Sequence, residues 1–395
     1  MKVVKPQKLS LLTRPFLQER HPFLSVAVLS LHQFDGAMLS ESELWRFVGE
    51  ALGAEGAPDV GMVKNRAEFL VSGNAETPGG AAQTQMDVSV RLGEVSRTLR
   101  VFGDRRWNED DRIDGPKPFT ELPLSWERAF GGPDFEANPL GLGHAVEEGE
   151  GGPLPNIEDP SQLIRSRKDV PRPASLGAVD VSWPVRQSKA GTYDDEWLRT
   201  QYPGHPLDMD WSFYNIAPEQ QQFSRSALVG DEDFELRGFN AEFPVQRGVL
   251  PPLRARAFVD IAPEGDWQLT ELEMGLTTVW FFPNKERLLL VWHGALPVQT
   301  DDGTDVRAVM IGADDRTEQR SVEAYAEVFA ARTNPETAVH LTEPQSRTQF
   351  NLWAMLGAPL LLSAPLGTPA FTEDFDLATY TNRDILEIAH SHYEG

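Results

Sequence analysis

The chain has 395 residues, 40% of them apolar, with 60 acidic side chains against 36 basic ones, a formal charge of −24 and no cysteine. Such a balance repels a phosphate backbone, whose binding depends on clustered Lys and Arg, so nucleic acid and anionic membrane are disfavoured as partners. The lack of thiols excludes disulfides, thiolate metal sites and cysteine nucleophiles, and the fold must hold by packing.

A chain of this length exceeds the ~250–300 residues at which single cores stop growing. The expected organisation is therefore a main β-rich domain over 1–300 and a C-terminal lobe of a strand plus helices over 301–395. In residues 1–16 only Leu9, Leu11 and Leu12 follow the lysines, too few for a signal-peptide core, and no stretch approaches the ~18 apolar residues of a spanning helix. The chain reads as soluble and cytoplasmic.

Residues 24–34 are β-rich and close on the turn pair Asp35-Gly36. Ser40 and Glu43 form a capping box ahead of the stripe Leu44, Phe47, Val48, Ala51 and Leu52, which predicts a helix ending at Gly53. Residues 68–72, 84–92 and 95–101 alternate apolar and polar side chains, with Gly93-Glu94 placed for a tight hairpin. Leu122, Trp126, Ala129 and Phe130 share one face of a short predicted helix over 122–130, and Gly131 is its expected left-handed stop. Prolines recur throughout 103–175, which bars long helices and central strands there. Trp107, Phe119, Trp126, Phe130 and Phe135 nevertheless need a surface to pack on, so the stretch reads as an ordered wrapping segment. Strand signals resume at 254–261, at 275–282 paired with 287–292 across Pro283-Asn284-Lys285-Glu286, and at 306–311; helical periodicity follows at 322–331 and 384–391. The fold class is α+β and β-rich: antiparallel sheets, few short helices and long ordered Pro/Gly-rich loops.

Signatures of known chemistry are sparse. There is no phosphate-cradling Gly-Lys-Ser/Thr loop, no Gly-x-Ser-x-Gly elbow and no His-Glu-x-x-His helix. Gly141-x-Gly143 fails as a dinucleotide fingerprint, because Val146 occupies the third glycine position and no strand precedes it. His390 and His392 point to different faces of a helix, which does not chelate an ion. The enzymatic candidates are carboxylates: Asp194, Asp195 and Glu196, with Asp208 and Asp210. Held across a cleft they would serve glycosidic hydrolysis, with Trp197 and Trp211 as sugar platforms; Asp208 and Asp210, two apart, serve equally as a helix cap or surface cation ligands. No metal or cofactor is expected.

Five ordered blocks carry a resemblance. They are Ser125-Trp126-Glu127-Arg128-Ala129-Phe130-Gly131-Gly132 with Asn138-Pro139-Leu140-Gly141, Leu154-Pro155-Asn156-Ile157-Glu158, Pro173-Ala174-Ser175-Leu176-Gly177, Gly191-Thr192-Tyr193-Asp194-Asp195-Glu196-Trp197, and Phe213-Tyr214-Asn215-Ile216-Ala217-Pro218-Glu219-Gln220. Together they resemble the accessory adaptors of bacterial type VI secretion systems, a family long catalogued as a domain of unknown function, and the match extends more loosely from about 15 to about 294. The resemblance implies a non-enzymatic adaptor and chaperone that binds an effector, in its N-terminal or PAAR-like part, and loads it onto the VgrG/PAAR spike. A carbohydrate-active hydrolase or a structural component of the secretion apparatus are the alternatives. Trp, Tyr and Arg dominate binding hot spots, so the partner-binding candidates are Trp126, Arg128, Phe130, Trp183, Tyr193, Asp194, Trp197 and Trp211. Trp183 and Trp197 lead, as both sit in wrapping segments, whereas tryptophan elsewhere is usually core.

Overall fold

The computed structural model describes residues 1–52, 60–144, 150–261, 268–303, 305–317 and 319–333. It divides into two compact units, Met1–Ala326 and Glu327–Gly395, and the sheets among the described residues all belong to the first. Trp267, Trp353, the predicted helix at 384–391 and the pair His390/His392 lie outside the described residues.

Alternation along the strand His21–Gln33 decides the architecture. Leu24, Val26 and Val28 enter one apolar core, and Ala27, Leu29 and Leu31 enter a second. This strand lies in a five-stranded sheet of order Ser10–Gln18, His21–Gln33, Arg287–Pro297, Gly275–Phe282 and Glu68–Val71, antiparallel except for the last pair. Its neighbours split in the same way: Leu288, Leu290 and Trp292 face the first core, Leu289 and Val291 the second. A sheet buried on both faces needs apolar residues at nearly every position, which is why these strands read as continuous apolar runs. The expected hairpin across residues 283–286 is present, with Glu286 in the left-handed region at φ 53°.

On one face lies the helix Glu41–Leu52, which gives Leu44, Phe47 and Val48 to the second core beside Ile216 and Ala217. Its capping box forms as expected: the Glu43 N–H donates to Ser40 Oγ at 3.4 Å, and the Ser40 N–H to Glu43 Oε2 at 3.3 Å. The other face is covered by two further sheets. One runs in the order Ile157–Glu158, Val95–Phe102, Gln85–Leu92, Asp233–Arg237 and Val245–Val249. It turns Val88, Val90, Leu92, Leu99 and Val101 inward and keeps ion pairs such as Arg91 with Asp233 outside. Gly93, at φ 51°, makes the predicted tight turn with Leu92 opposite Val95. The last sheet orders Lys2–Val4, Ala308–Asp315, Leu253–Asp260 and Thr270–Leu272, so the strand expected near 306–311 completes a sheet of the first unit.

Among its described residues the segment 103–175 forms only short ladders. Arg106–Trp107 pairs with Ile113–Asp114 and with Gly152–Pro153, and Phe130–Gly131 pairs with Leu142–Gly143. The helix expected over 122–130 is absent. Glu121–Pro123 instead forms a strand beside Asn74–Glu76, and only Trp126–Arg128 coils, as one 3-10 turn. Leu122 packs in the main core while Phe130 joins a separate cluster with Trp107, Leu154 and Ile164, so these apolar residues never shared a face. Gly131 is no left-handed stop either. Its φ is 159°, and a Cβ there would meet the Asn138 carbonyl oxygen at 2.2 Å, so glycine is required for close approach of two backbones. Together the described elements make a β-rich α+β fold, and among the described residues no helix is long and apolar enough to cross a membrane.

Candidate functional site

Two of the sequence blocks are buried braces. Glu68, on an edge strand of the two-faced sheet, is wholly buried and accepts from the Lys64 ammonium, from Asn215 Nδ2 at 2.9 Å and from the Ala217 N–H at 3.1 Å. Beside it Gln221 Nε2 donates to the carbonyls of Phe69 at 2.9 Å and Leu176 at 3.0 Å. Asn156 likewise donates to the Phe102 carbonyl at 3.1 Å, and Glu158 accepts from the Ile164 N–H at 2.9 Å and from the buried Arg105 guanidinium. Burial pushes the Glu158 carboxyl up, with Arg105 offsetting part of the rise. A buried polar side chain left unbonded costs about 1–3 kcal/mol, so these residues tie irregular backbone to the sheets.

Two partner-binding candidates are buried, and Trp126, Arg128 and Trp211 are half-buried. Phe130 and Trp183 are buried, at 3% and 4% exposure, so neither is available to a partner. Trp183 packs edge-on against Trp126 at 5.2 Å, while Trp126, half-buried, donates its indole N–H to the Ala178 carbonyl at 2.8 Å. Proline-rich surroundings made Trp183 look like surface; two tryptophans are in fact closing on each other. Trp211 is half-buried between Phe16 at 5.7 Å and His205 at 5.4 Å. Arg128 is half-buried and donates to Asn156 Oδ1 at 3.1 Å.

The carboxylate clusters resolve into caps. Asp194 accepts from the Trp197 N–H at 2.8 Å at the start of the helix Asp195–Thr200, and Asp210 accepts from the Ser212 N–H at 2.8 Å. Asp208 takes both the Thr192 N–H at 3.0 Å and its hydroxyl at 2.7 Å. These bonds hold Asp208 and Asp210 below the usual aspartate range, whereas a general acid needs its carboxyl raised.

What the caps position is an exposed aromatic face. Tyr193 is 55% exposed, Leu198 57%, Tyr202 62% and Leu207 68%. Trp197 sits half-buried between Tyr193 at 4.8 Å and Tyr202 at 5.7 Å, both edge-on, and its indole N–H donates to the Gly204 carbonyl at 2.8 Å. The Asp208–Thr192 bonds tie the loop bearing Leu207 to the segment bearing Tyr193. Asp194, Asp195, Glu196 and Asp208 are exposed around this face. Tyr193, Asp194 and Trp197 were legible as candidates; Leu198, Tyr202 and Leu207 were missed, Tyr202 because it reaches Trp197 only through the turn after the helix, where its N–H donates to the Trp197 carbonyl at 3.0 Å.

Residues 19–293 match the model of an uncharacterized protein family conserved in bacteria, DUF2169. The chain belongs to this family. No curated protein and no solved structure matches it. The DUF2169 span begins in the first hairpin and ends within the strand Arg287–Pro297, so it takes in both braces and the aromatic face. Among the described residues of this DUF2169 chain, no group of three or more His, Asp or Glu side chains is placed to hold a metal ion.

Proposed function

We propose that this DUF2169 protein is a non-enzymatic adaptor and chaperone that binds a type VI secretion effector in the cytoplasm and loads it onto the VgrG/PAAR spike. The observation that carries the reading is the exposed pair Tyr193 and Tyr202 packed on Trp197, with Leu198 exposed on the same helix and Leu207 on the loop tied to Thr192. Large apolar side chains clustered at the surface mark interaction sites, and aromatic rings give contact area at low rotamer cost. The Asp194 cap and the Trp197–Gly204 bond fix the face before a partner arrives, which lowers the ordering cost of association. The resemblance of the five blocks to type VI adaptors supplies the class of partner. Surrounding carboxylates and a charge of −24 steer the adaptor towards basic surfaces, and a bound effector segment is stabilised by mass action while it waits.

The test is a tagged pull-down from the native bacterium, with and without the neighbouring effector gene. An effector and a spike or PAAR protein should be recovered together, and the spike should vanish when the effector gene is deleted. Leu198→Asp with Tyr202→Asp should abolish recovery of both. Capture that survives this double variant unchanged refutes the role of the face, and recovery of neither protein by the parent chain refutes the adaptor reading.

A further inference from the structure

We infer that a second site, far along the chain from the aromatic face, binds a single carboxylate carried on an apolar body, as at the C-terminal end of a peptide or in a free carboxylic acid. The site is a cleft of about 530 Å³ built by the wrapping segment, inside the ~300–1,000 Å³ range of ligand pockets. One wall is the ladder in which Arg106–Trp107 pairs with Ile113–Asp114 and Gly152–Pro153.

Its charge runs against the rest of the molecule. In a chain of −24, Arg105, Arg106, Lys117 and Arg128 converge on this cleft, and among the described residues that line it only Asp104 and Asp114 are of opposite sign. Arg105 is already committed: it donates to the Pro155 carbonyl at 2.9 Å and pairs with buried Glu158. Among the described lining residues three cations then face two carboxylates, which leaves one positive charge. Arg128 bonds Asn156 and stands 3.9 Å from Asp104. The exposed side chains of Arg106 and Lys117 make no hydrogen bond or ion pair with any described residue, and the Arg106 guanidinium lies so near Gly151 that a Cβ there would meet its Nη2 at 2.8 Å.

These features select the ligand. The planar guanidinium fork matches a carboxylate in two parallel hydrogen bonds. One net positive charge balances a monoanion, whereas a phosphate dianion would be left facing Asp104 and Asp114 in excess. Leu142, Leu154 and Pro153 also line the cleft and suit an apolar body rather than a bare ion.

Calorimetric titration of the full-length protein tests the inference with four probes: an acetylated tetrapeptide ending in a leucine carboxylate, the same peptide as its C-terminal amide, hexanoate, and inorganic phosphate. The free-acid peptide should bind at least tenfold more tightly than the amide. Arg106→Gln with Lys117→Gln should weaken it at least tenfold while the melting temperature stays at the parental value, because both side chains are exposed. Hexanoate binding without peptide binding supports the cleft and identifies its ligand as a free carboxylic acid. Equal binding of acid and amide, tighter binding of phosphate, or no binding by any probe overturns the inference.

Discussion

The segment around Asn215 and the segment around Trp197 lie close in sequence and are similarly rich in aromatic and polar residues, yet they do opposite things. Asn215, Ile216 and Ala217 turn inward: the Asn215 amide donates to the Glu68 carboxylate and the Arg66 carbonyl, and the N–H groups of Ile216 and Ala217 donate to Glu68. Tyr193, Leu198 and Tyr202 turn outward, and their polar neighbours serve only to hold the turn that displays them. Density of recognisable residues therefore does not separate architecture from function. The direction in which hydrogen bonds are spent does.

The comparison is broken most sharply at Glu68. Glu68→Ala removes the partner of a fully buried ammonium and three backbone or amide donors, and breaking such a pair costs about 3–5 kcal/mol. Denaturant unfolding should show a loss of that size; a loss under about 1 kcal/mol means the brace is dispensable. On the outward side, Trp197→Ala should weaken effector capture by about 2 kcal/mol, a hot-spot-sized effect, with little change in melting temperature. A large drop in melting temperature instead would class Trp197 with the braces.

Acid sharpens the contrast, since between pH 7 and pH 5 it acts first on the buried histidines. His293 is wholly buried between the Thr277 hydroxyl and the Val60 carbonyl, and burial lowers its pKa to about 3; burial lowers His32 and His205 as well. The unfolded chain titrates these rings near 6.5, so between about pH 6.5 and 3 it binds more protons than the folded one. Stability is fully present above pH 6.5 and falls on acidification, by up to about 1.4 kcal/mol per pH unit from His293 alone. Unfolding measured from pH 7 to pH 5 should show this slope, and His293→Gln should flatten it. The smallest effect belongs to Leu207→Ser, which at 68% exposure should leave stability within about 0.5 kcal/mol while reducing capture.

Regular periodicity carried much of the fold into the sequence. The alternation of 85–101 with its Gly93-Glu94 turn, the capping box at Ser40 and the hairpin across 283–286 are each set by neighbours in the chain, so local reading suffices. The stretch 122–130 defeats it, because Leu122 and Phe130 belong to different cores and a helical spacing arises where no helix exists. Part of the exposed face was visible through Tyr193 and Trp197. Trp183 was misjudged because only its contact with Trp126, a residue remote in sequence, shows which side of it is covered. Arg106 and Lys117 carry no motif; their meaning comes from the strand pairing that brings them to one cleft.

The two-faced sheet also fixes an order of events during synthesis. His21–Gln33 gains one neighbour at once, from Ser10–Gln18, but Leu29 must wait for Val291 on its other side. At translation rates of ~5–20 residues per second, that interval is roughly 15–50 s, through which a long apolar strand leaves the ribosome with one hydrogen-bonding edge open. A nascent chain stalled before residue 287 is thus an exposed strand template, and completing the sheet is what makes this chain safe to release.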